Sequence, residues 1–405
     1  MIRLAGMRPI MISFTTARKI VFRHLPRRKT SCLELVKAEG RFLSRDVMAP
    51  TDAPAFDRAV MDGFAVRSRD TADAPVVLRV VGFVPAGRVF GRRIGAGESA
   101  AIATGAVMPP GADAVIKKED AQVLSDGRLR VVRRVCRGKD VYPRGRDYRK
   151  GTLLLRRATL LNPSRIALLG SLGYGCVEVF APARVALLTT GDEVVPAGRC
   201  ARRGQVYDAT TPMIFSSLSR MGALCEHLGH APDRVALLDK KVRQGLKHDI
   251  LIVTGGVSAG AKDYVPRMLA KNGVTRLFHK VLIRPGKPLW FGRRGRQLVF
   301  GLPGNPIASL VTFMLFVKPV IEYLQGGEGK SSFLQGVLLK DVYNESERLS
   351  FLPARLRRQN RGTGLMPLTF HGSADIYHVA GADCFFAAPA HARLKKKTHV
   401  SFFKI

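Results

Sequence analysis

The sequence predicts a multidomain α/β plus β protein, and three stretches predict it. Between residues 183 and 324 apolar strands alternate with amphipathic helices, as in "RVALLTTG", "TTPMIFSSLSRMG", "DILIVTGG", "LVFGLPGN" and "PIASLVTFMLF". Val185 to Leu188 and Ile250 to Val253 are unbroken apolar runs. A parallel sheet covered on both faces requires such runs, so this stretch reads as a wound βα domain. Residues 51 to 147 are rich in Gly, Pro and β-branched runs such as "PVVLRVVGFV" and "RLRVVRRV", which predicts a mostly β domain with short hairpins. After "YLQGG" at 323 to 327 the chain turns to short strands with no long helix, as in a small β-barrel or sandwich.

The connecting elements follow from capping and periodicity. Over 12 to 50, "SFTTARKIVFRHL" predicts a helix, and "CLELVKAEGRFLSRDV" a second short helix running to Gly40, followed by an extended exit. In "ATLLNPSRIALLGSLGYGCVEVF" (158 to 180), Asn162 is a helix N-cap with Pro163 in the first position, and the helix closes between Gly170 and Gly175.

Composition and charge narrow the function classes. The chain has 405 residues, enough for several cores, and 46% of them are apolar. No run reaches the roughly 20 apolar residues of a membrane span; "PIASLVTFMLFV", bounded by Pro306 and Lys318, reads as a buried helix. The opening "MIRLAGMRPIMISF" has no continuous apolar core, and Met11 would serve equally as a start, so secretion is not expected. The cysteines at 32, 136, 176, 200, 225 and 384 form neither CxxC pairs nor a Cys/His cluster at zinc spacing. A reduced, cytoplasmic protein is therefore expected. Sixty-six Lys and Arg against 31 Asp and Glu give a net charge of +35, a field that attracts oxyanions, acidic lipid and nucleic acid alike. Without a helix-turn-helix, RRM or zinc-finger signature, nucleic acid is not the expected partner.

Ligands of wound α/β sheets bind beyond the carboxyl ends of strands, where loops meet helix N-termini. Three segments place unusual residues there. "ALLTTGDEVV" ends in Gly191, Asp192 and Glu193; "DILIVTGGVSAGAKD" in Gly255, Gly256, Ser258, Gly260 and Asp263; "LVFGLPGNP" in Gly301, Pro303, Gly304, Asn305 and Pro306. Glycines permit tight turns and let amides approach an anion, and Asn305 before Pro306 is a ready N-cap. Acids beside an anion pocket make sense if a hard cation bridges them, which makes Glu193 and Asp263 candidates for Mg²⁺ or proton handling. Lys280, Arg284 and Lys287 in "HKVLIRPGKPLW" are anion clamps. Each piece alone is an ordinary turn or cap; their recurrence at three strand ends points to one crevice. Walker A, GxGxxG and GxSxG patterns are absent, which excludes a P-loop NTPase, a standard dinucleotide binder and an α/β-hydrolase elbow.

In their order, "FDRAVMDGFAV", "TGAVMPPGADAVI", "LLTTGDEVV", "GQVYD", "TGGVSAGAKDYV", "IRPGKPLWFG" and "GLPGNP" resemble the molybdopterin molybdenumtransferase family of molybdenum-cofactor biosynthesis, whose animal member is the C-terminal domain of gephyrin. The resemblance implies a discontinuous first domain (12–50 and 148–180), an inserted β domain (51–147), a wound molybdopterin-binding domain (181–326) and a C-terminal β-barrel-like domain (327–405). It also implies a homodimer that inserts molybdenum from molybdate into adenylylated molybdopterin with Mg²⁺ and releases AMP, with contact to the adenylyltransferase of the pathway. Matched position by position, Asp62 and Thr104 are catalytic along with Glu193 and Asp263. Asp147, Asp233, the glycines and Ser258, Lys280, Arg284, Lys287, Pro303, Gly304, Asn305 and Pro306 bind substrate. The sequence departs from the family at Arg58 and Ala59 in "FDRAVMDG", at Thr210 in "YDAT", and at Pro232, where one of two acids is missing. A gephyrin-like scaffold without activity and the adenylyltransferase itself are the alternative readings.

Overall fold

The computed structural model describes residues 11–232, 234–257, 264–329, 333–359 and 362–405. The chain forms two compact units, one of residues up to 44, 160–166 and 175–405, the other of 45–159 and 167–174.

In the first unit, helix α1 (Phe14–Arg23) starts at Ser13, whose Oγ accepts the Thr16 amide at 3.1 Å, and it buries Ala17 and Val21. The second helix expected after Cys32 is not there. Thr30–Glu34 is a strand paired antiparallel with Cys176–Phe180, and only Leu35–Lys37 turns helically, as a single 3₁₀ turn. A five-residue run of mixed polarity carries little periodicity of its own, so a ladder partner some 140 residues away decides its conformation.

The wound domain follows its apolar pattern. Its elements are β1 (Arg184–Thr190), α2 (Thr210–Arg220), β2 (Leu224–Ala231), α3 (Val235–Gly245), β3 (Ile250–Thr254), α4 (Tyr264–Lys271), β4 (Thr275–His279), β5 (Trp290–Arg294) and β6 (Gln297–Leu302). The sheet order is β2-β1-β3-β6-β5-β4, with the first four strands parallel and β5 and β4 antiparallel to their neighbours. Alternate residues feed two cores. Val185, Leu187, Ile250, Ile252, Leu298 and Phe300 meet α2 and the helix that follows β6, while Ala186, Leu188, Leu251, Val253 and Val299 meet α3 and α4. Every residue of β3 is buried, as a strand covered on both faces must be.

After β6, helix α5 (Pro306–Thr312) continues through a π-helical stretch (Phe313–Val317) into α6 (Lys318–Leu324). The run from Pro306 to Leu324 is long and apolar enough to cross a membrane but is mostly buried inside the protein, which makes it the central core helix. The chain ends in a closed barrel of β7 (Leu334–Leu338), β8 (Leu349–Gln359), β9 (Gly362–Pro367), β10 (Cys384–Ala388) and β11 (His399–Lys404), in the order β8-β9-β7-β11-β10 with β10 returning to β8. Ile283–Arg284 pairs in parallel with the start of β8, and the short helix α7 (Ile376–Val379) lies between β9 and β10.

The second unit is built on a six-stranded sheet in the order Ala114–Lys117, Gly63–Val66, Glu98–Ile102, Val76–Val84, Leu129–Val131, Gln122–Val123. Among the described residues, one apolar cluster of this sheet gathers around Ala65, Ala100 and Ile102 and another around Val66, Leu78 and Leu129.

Candidate active site

A cleft of about 340 Å³ opens at the carboxyl ends of β1, β3 and β6, lined among others by Glu193, Asp208, Thr210, Thr254, Gly255, Gly304, Asn305 and Pro306. Three of the strand ends singled out from sequence thus contribute to one hollow. Beneath it runs a chain of hydroxyls that ties the loops together. Asp208 accepts the Thr211 amide at 2.9 Å and its Oγ1 at 2.5 Å, Thr211 Oγ1 meets Thr189 Oγ1 at 2.5 Å, and Thr254 Oγ1 donates to Thr189 Oγ1 at 3.3 Å. Thr189, Thr211 and Thr254 are buried, and a fully paired buried network of this kind fixes geometry. Asp208 therefore holds the start of α2.

Glu193 sits in a turn secured on both sides. The Val206 amide donates to its carbonyl at 2.8 Å, and His230 Nε2 donates to the Gly191 carbonyl at 2.6 Å. Its side chain is exposed at the cleft and, among the described residues, makes no ion pair.

The two glycines after β3 have a steric purpose. Gly255 has φ +81°, and a Cβ on it would stand 2.6 Å from the Thr190 carbonyl oxygen; one on Gly256 would stand 2.8 Å from Thr190 Oγ1. Only glycine lets this turn pass so close to the end of β1. The Gly255 amide donates to the Leu302 carbonyl at 3.1 Å, so it is spent on joining β3 to β6 and is not free for an anion. Gly304 leaves an ordinary 3.7 Å contact to Gly255. Asn305 occupies the N-cap position of α5 with Pro306 behind it, but its side chain does not cap the helix; Nδ2 donates to Ser373 Oγ at 2.7 Å instead. The Ile307 amide is satisfied by the Ser373 carbonyl at 3.1 Å.

Asn305 also lines a second hollow of about 300 Å³, with Arg284, Lys287, Pro303, Arg348 and Ser373. Here the charge is positive. Arg348 Nη1 donates to the Ile283 carbonyl at 3.0 Å. Burial, and then the neighbouring charge of Arg284, pull the Arg348 guanidinium below its ordinary value, against a smaller opposite push from Glu347. Two guanidiniums that repel one another beside a lysine form a place where an oxyanion relieves like-charge repulsion. Lys280 lines neither hollow; its backbone, with φ +74°, bridges Leu289 and Ile12.

Asp62, Thr104 and Asp147 belong to the second unit. Asp62 Oδ1 accepts the Thr104 amide at 2.6 Å and its Oγ1 at 2.8 Å. These bonds, chiefly the backbone one, hold the Asp62 carboxyl below the usual range, aided by Lys118. The "MDG" segment makes no two-residue hairpin. Gly63 opens a strand so tightly paired that a Cβ would fall 1.9 Å from the Ile116 carbonyl oxygen. Asp147 Oδ1 accepts the Tyr142 hydroxyl at 2.5 Å. Of the departures from the family, Arg58 lies over the Tyr142 ring at 5.0 Å, Ala59 is buried, and Thr210 Oγ1 reaches the Gly304 carbonyl at 3.5 Å. Ser258, Gly260, Asp263 and Asp233 lie outside the described residues.

Sequence reasoning missed Arg348, Ser373 and Asp208 as parts of this site. Arg348 stands in the barrel just before β8, 61 residues after Lys287, and nothing in "NESERLSF" marks it. Asp208 carried a signal, an Asp three residues before the first turn's Thr211, which is an N-terminal capping pattern.

Comparison with known proteins accounts for the arrangement. Residues 12–173 match the family described as MoeA N-terminal region (domain I and II), and residues 186–323 match the probable molybdopterin binding domain. A molybdopterin molybdenumtransferase of Bacillus subtilis is 33% identical over 374 residues, covering 90% of this chain and 87% of its own length. Another from Haemophilus influenzae is 34% identical over 318 residues, 78% of each chain. The crystal structure of a molybdopterin biosynthesis moeA protein from Pyrococcus horikosii superposes with a TM-score of 0.86 at 31% identity, covering 98% of this chain and 99% of that one. With strand ends, core helix and barrel in this order, and relatives matched over nearly their full length, the chain belongs to the molybdopterin molybdenumtransferase family.

Proposed function

We propose that this chain transfers molybdenum from molybdate to adenylylated molybdopterin and releases AMP. The observation that carries the reading is the pair of hollows sharing Asn305, one bordered by strand-end loops and Glu193, the other by Arg284, Lys287 and Arg348. A pterin phosphate needs a polar crevice and molybdate needs fixed positive charge; here the two stand side by side. The cationic side chains orient the oxyanion and stabilise charge on the phosphoryl group as its bond to the adenylyl moiety breaks.

Mg²⁺ fits the donors present. A hard cation takes one or two carboxylates plus substrate oxygens and water, and Glu193 offers a carboxylate at the cleft, whereas Asp208 is committed to Thr211. Glu193 would hold the ion, with Asp263 as the second carboxylate of the same reading; the ion would polarise the phosphate oxygens. The catalytic roles of Asp62 and Thr104, the substrate roles of Asp147, Asp233, Ser258, Gly260 and Lys280, the four-domain division, the homodimer, the contact with the pathway's adenylyltransferase and a cytoplasmic location rest on the resemblance and belong to this proposal.

The test is AMP release from adenylylated molybdopterin plus molybdate, followed for wild type, Glu193→Gln, Lys287→Met and Asp62→Asn. Mg²⁺-dependent release that each substitution lowers supports the reading, and chelation with EDTA should abolish it until Mg²⁺ is restored. Formation of adenylylated pterin from ATP would favour the adenylyltransferase. Wild-type cofactor formation by all three variants in cells lacking the endogenous enzyme would favour a scaffold.

A further inference from the structure

Between β9 and β10 the segment 371–378 brings together three ligand-type side chains with no place in the reading above. The donor atoms of His371, Asp375 and His378 all lie within 4.8 Å of one another. The imidazoles meet edge to face with centroids 5.0 Å apart, and the carboxylate is close to both residues. His378 Nδ1 stands 2.9 Å from Asp375 Oδ1 and 3.0 Å from Oδ2. These are hydrogen-bond distances; ligands about 2.0–2.1 Å from a tetrahedral Zn²⁺ stand about 3.3 Å apart, so the pair has to part by only a few tenths of an ångström for both to reach one ion.

The carboxylate is also aimed. The His371 amide donates to Asp375 Oδ2 at 2.8 Å and the His378 amide to Oδ1 at 3.3 Å, the kind of outer support that orients ligands in metal sites. The segment as a whole is pinned through Ser373, which takes the Asn305 side chain and the Ile307 amide. His371 is exposed, so solvent reaches the triad. Ala374 and Ile376, interleaved with the ligands, line the cleft.

We propose that His371, Asp375 and His378 bind a borderline divalent transition-metal ion, of the Zn²⁺ or Co²⁺ class, at the rim of the cleft. Two imidazoles and one carboxylate select such an ion over Mg²⁺, which takes oxygen ligands almost alone. Three protein ligands with one exposed side leave coordination positions for water or another small ligand. The site is separate from Glu193 and does not depend on the transferase reading. Occupying it ties His371, at the start of the loop that carries Ala374, to the α7 turn that carries Ile376 and His378.

The experiment is titration of the full-length, EDTA-stripped protein with Co²⁺, read by its d–d absorption, and with Zn²⁺ by calorimetry, for wild type, His371→Gln, His378→Ala and Asp375→Asn. His371→Gln changes an exposed residue outside any helix and Asp375→Asn keeps a good capping side chain, so at least these two remain folded, which circular dichroism checks. The expected result is one equivalent bound with a nitrogen and oxygen type spectrum. Each variant should weaken binding by at least the roughly 10–100-fold that even an outer-shell partner is worth. Equal binding by wild type and the variants, or a thiolate charge-transfer band marking one of the exposed cysteines as the ligand, would overturn the assignment. So would the absence of binding by the wild type.

Discussion

At the scale of single residues, one tightly constrained position of the site lines the cleft while its amide is spent within the protein. Gly255 combines a left-handed φ of +81° with a projected Cβ 2.6 Å from backbone oxygen. Gly255→Ala should cost about 1–3 kcal/mol for the backbone alone, with more for the displaced Thr190 carbonyl, and urea denaturation of the purified variant measures it. A second residue-scale prediction concerns Glu98 in the other unit. Its carboxylate meets Arg92, accepts the Gly95 amide at 3.0 Å and pairs with Arg79 at 2.6 Å, and these partners, Arg92 foremost, bring it from 4.5 to about 2. The folded value lies below the unfolded one, so the stabilisation is complete above pH 4.5 and is lost as pH falls toward 2. Wild type should therefore exceed Glu98→Gln in stability at neutral pH, and the gap should close between those two values. A pH series of urea midpoints for the two proteins decides it. What was readable at this scale was composition in context: Glu193, Gly304, Asn305 and Pro306 announce themselves because they follow apolar runs. Arg348 and Ser373 could not be found that way, since their significance comes from barrel residues folding back to the wound sheet.

Elements were legible where one structural demand outweighed all others. β1, β3 and β6 bury both faces, so their central residues (Val185–Leu188, Ile250–Val253 and Leu298–Phe300) are apolar without a break, as a covered parallel strand requires. The core helix from Pro306 to Leu324 was equally plain, because a glycine- and proline-marked turn precedes nineteen residues with hardly a charge. Thr30–Glu34 was not, because an exposed, half-polar strand stabilised by a distant partner looks like the start of a helix. The hydroxyl chain under the cleft was hidden for a related reason: Thr189, Thr211 and Thr254 come from three elements, and threonine in a strand is unremarkable until its neighbours are known. Thr189→Val keeps the shape and removes the central oxygen. It should cost about 1 kcal/mol, since Thr254 loses its acceptor while Thr211 keeps Asp208. The same substitution should loosen the start of α2, seen as faster amide exchange at Thr211 with β6 unaffected.

Across the whole molecule, the net charge of +35 and the basic hollow have to be separated, because both attract anionic substrates but through different physics. Diffuse surface charge acts at long range, speeds encounter, and is screened over about 10 Å at 0.1 M salt. The hollow acts at contact, where Arg348 is partly buried and screening is weaker. Raising ionic strength should therefore lower kcat/KM for adenylylated pterin while leaving kcat nearly unchanged. Replacing Lys395, Lys396 and Lys397 by glutamine, exposed residues that line neither hollow, should flatten that salt dependence without altering the KM for molybdate at high salt. Arg348→Ala should do the reverse. Loss of a charged donor at contact is worth about 1.5–3 kcal/mol, roughly a 10- to 100-fold rise in the molybdate KM, and the rise should persist at every ionic strength. If the salt slope changed in the arginine variant and the molybdate KM did not, Arg348 would belong to the diffuse field, and the oxyanion would have to be held elsewhere in the cleft.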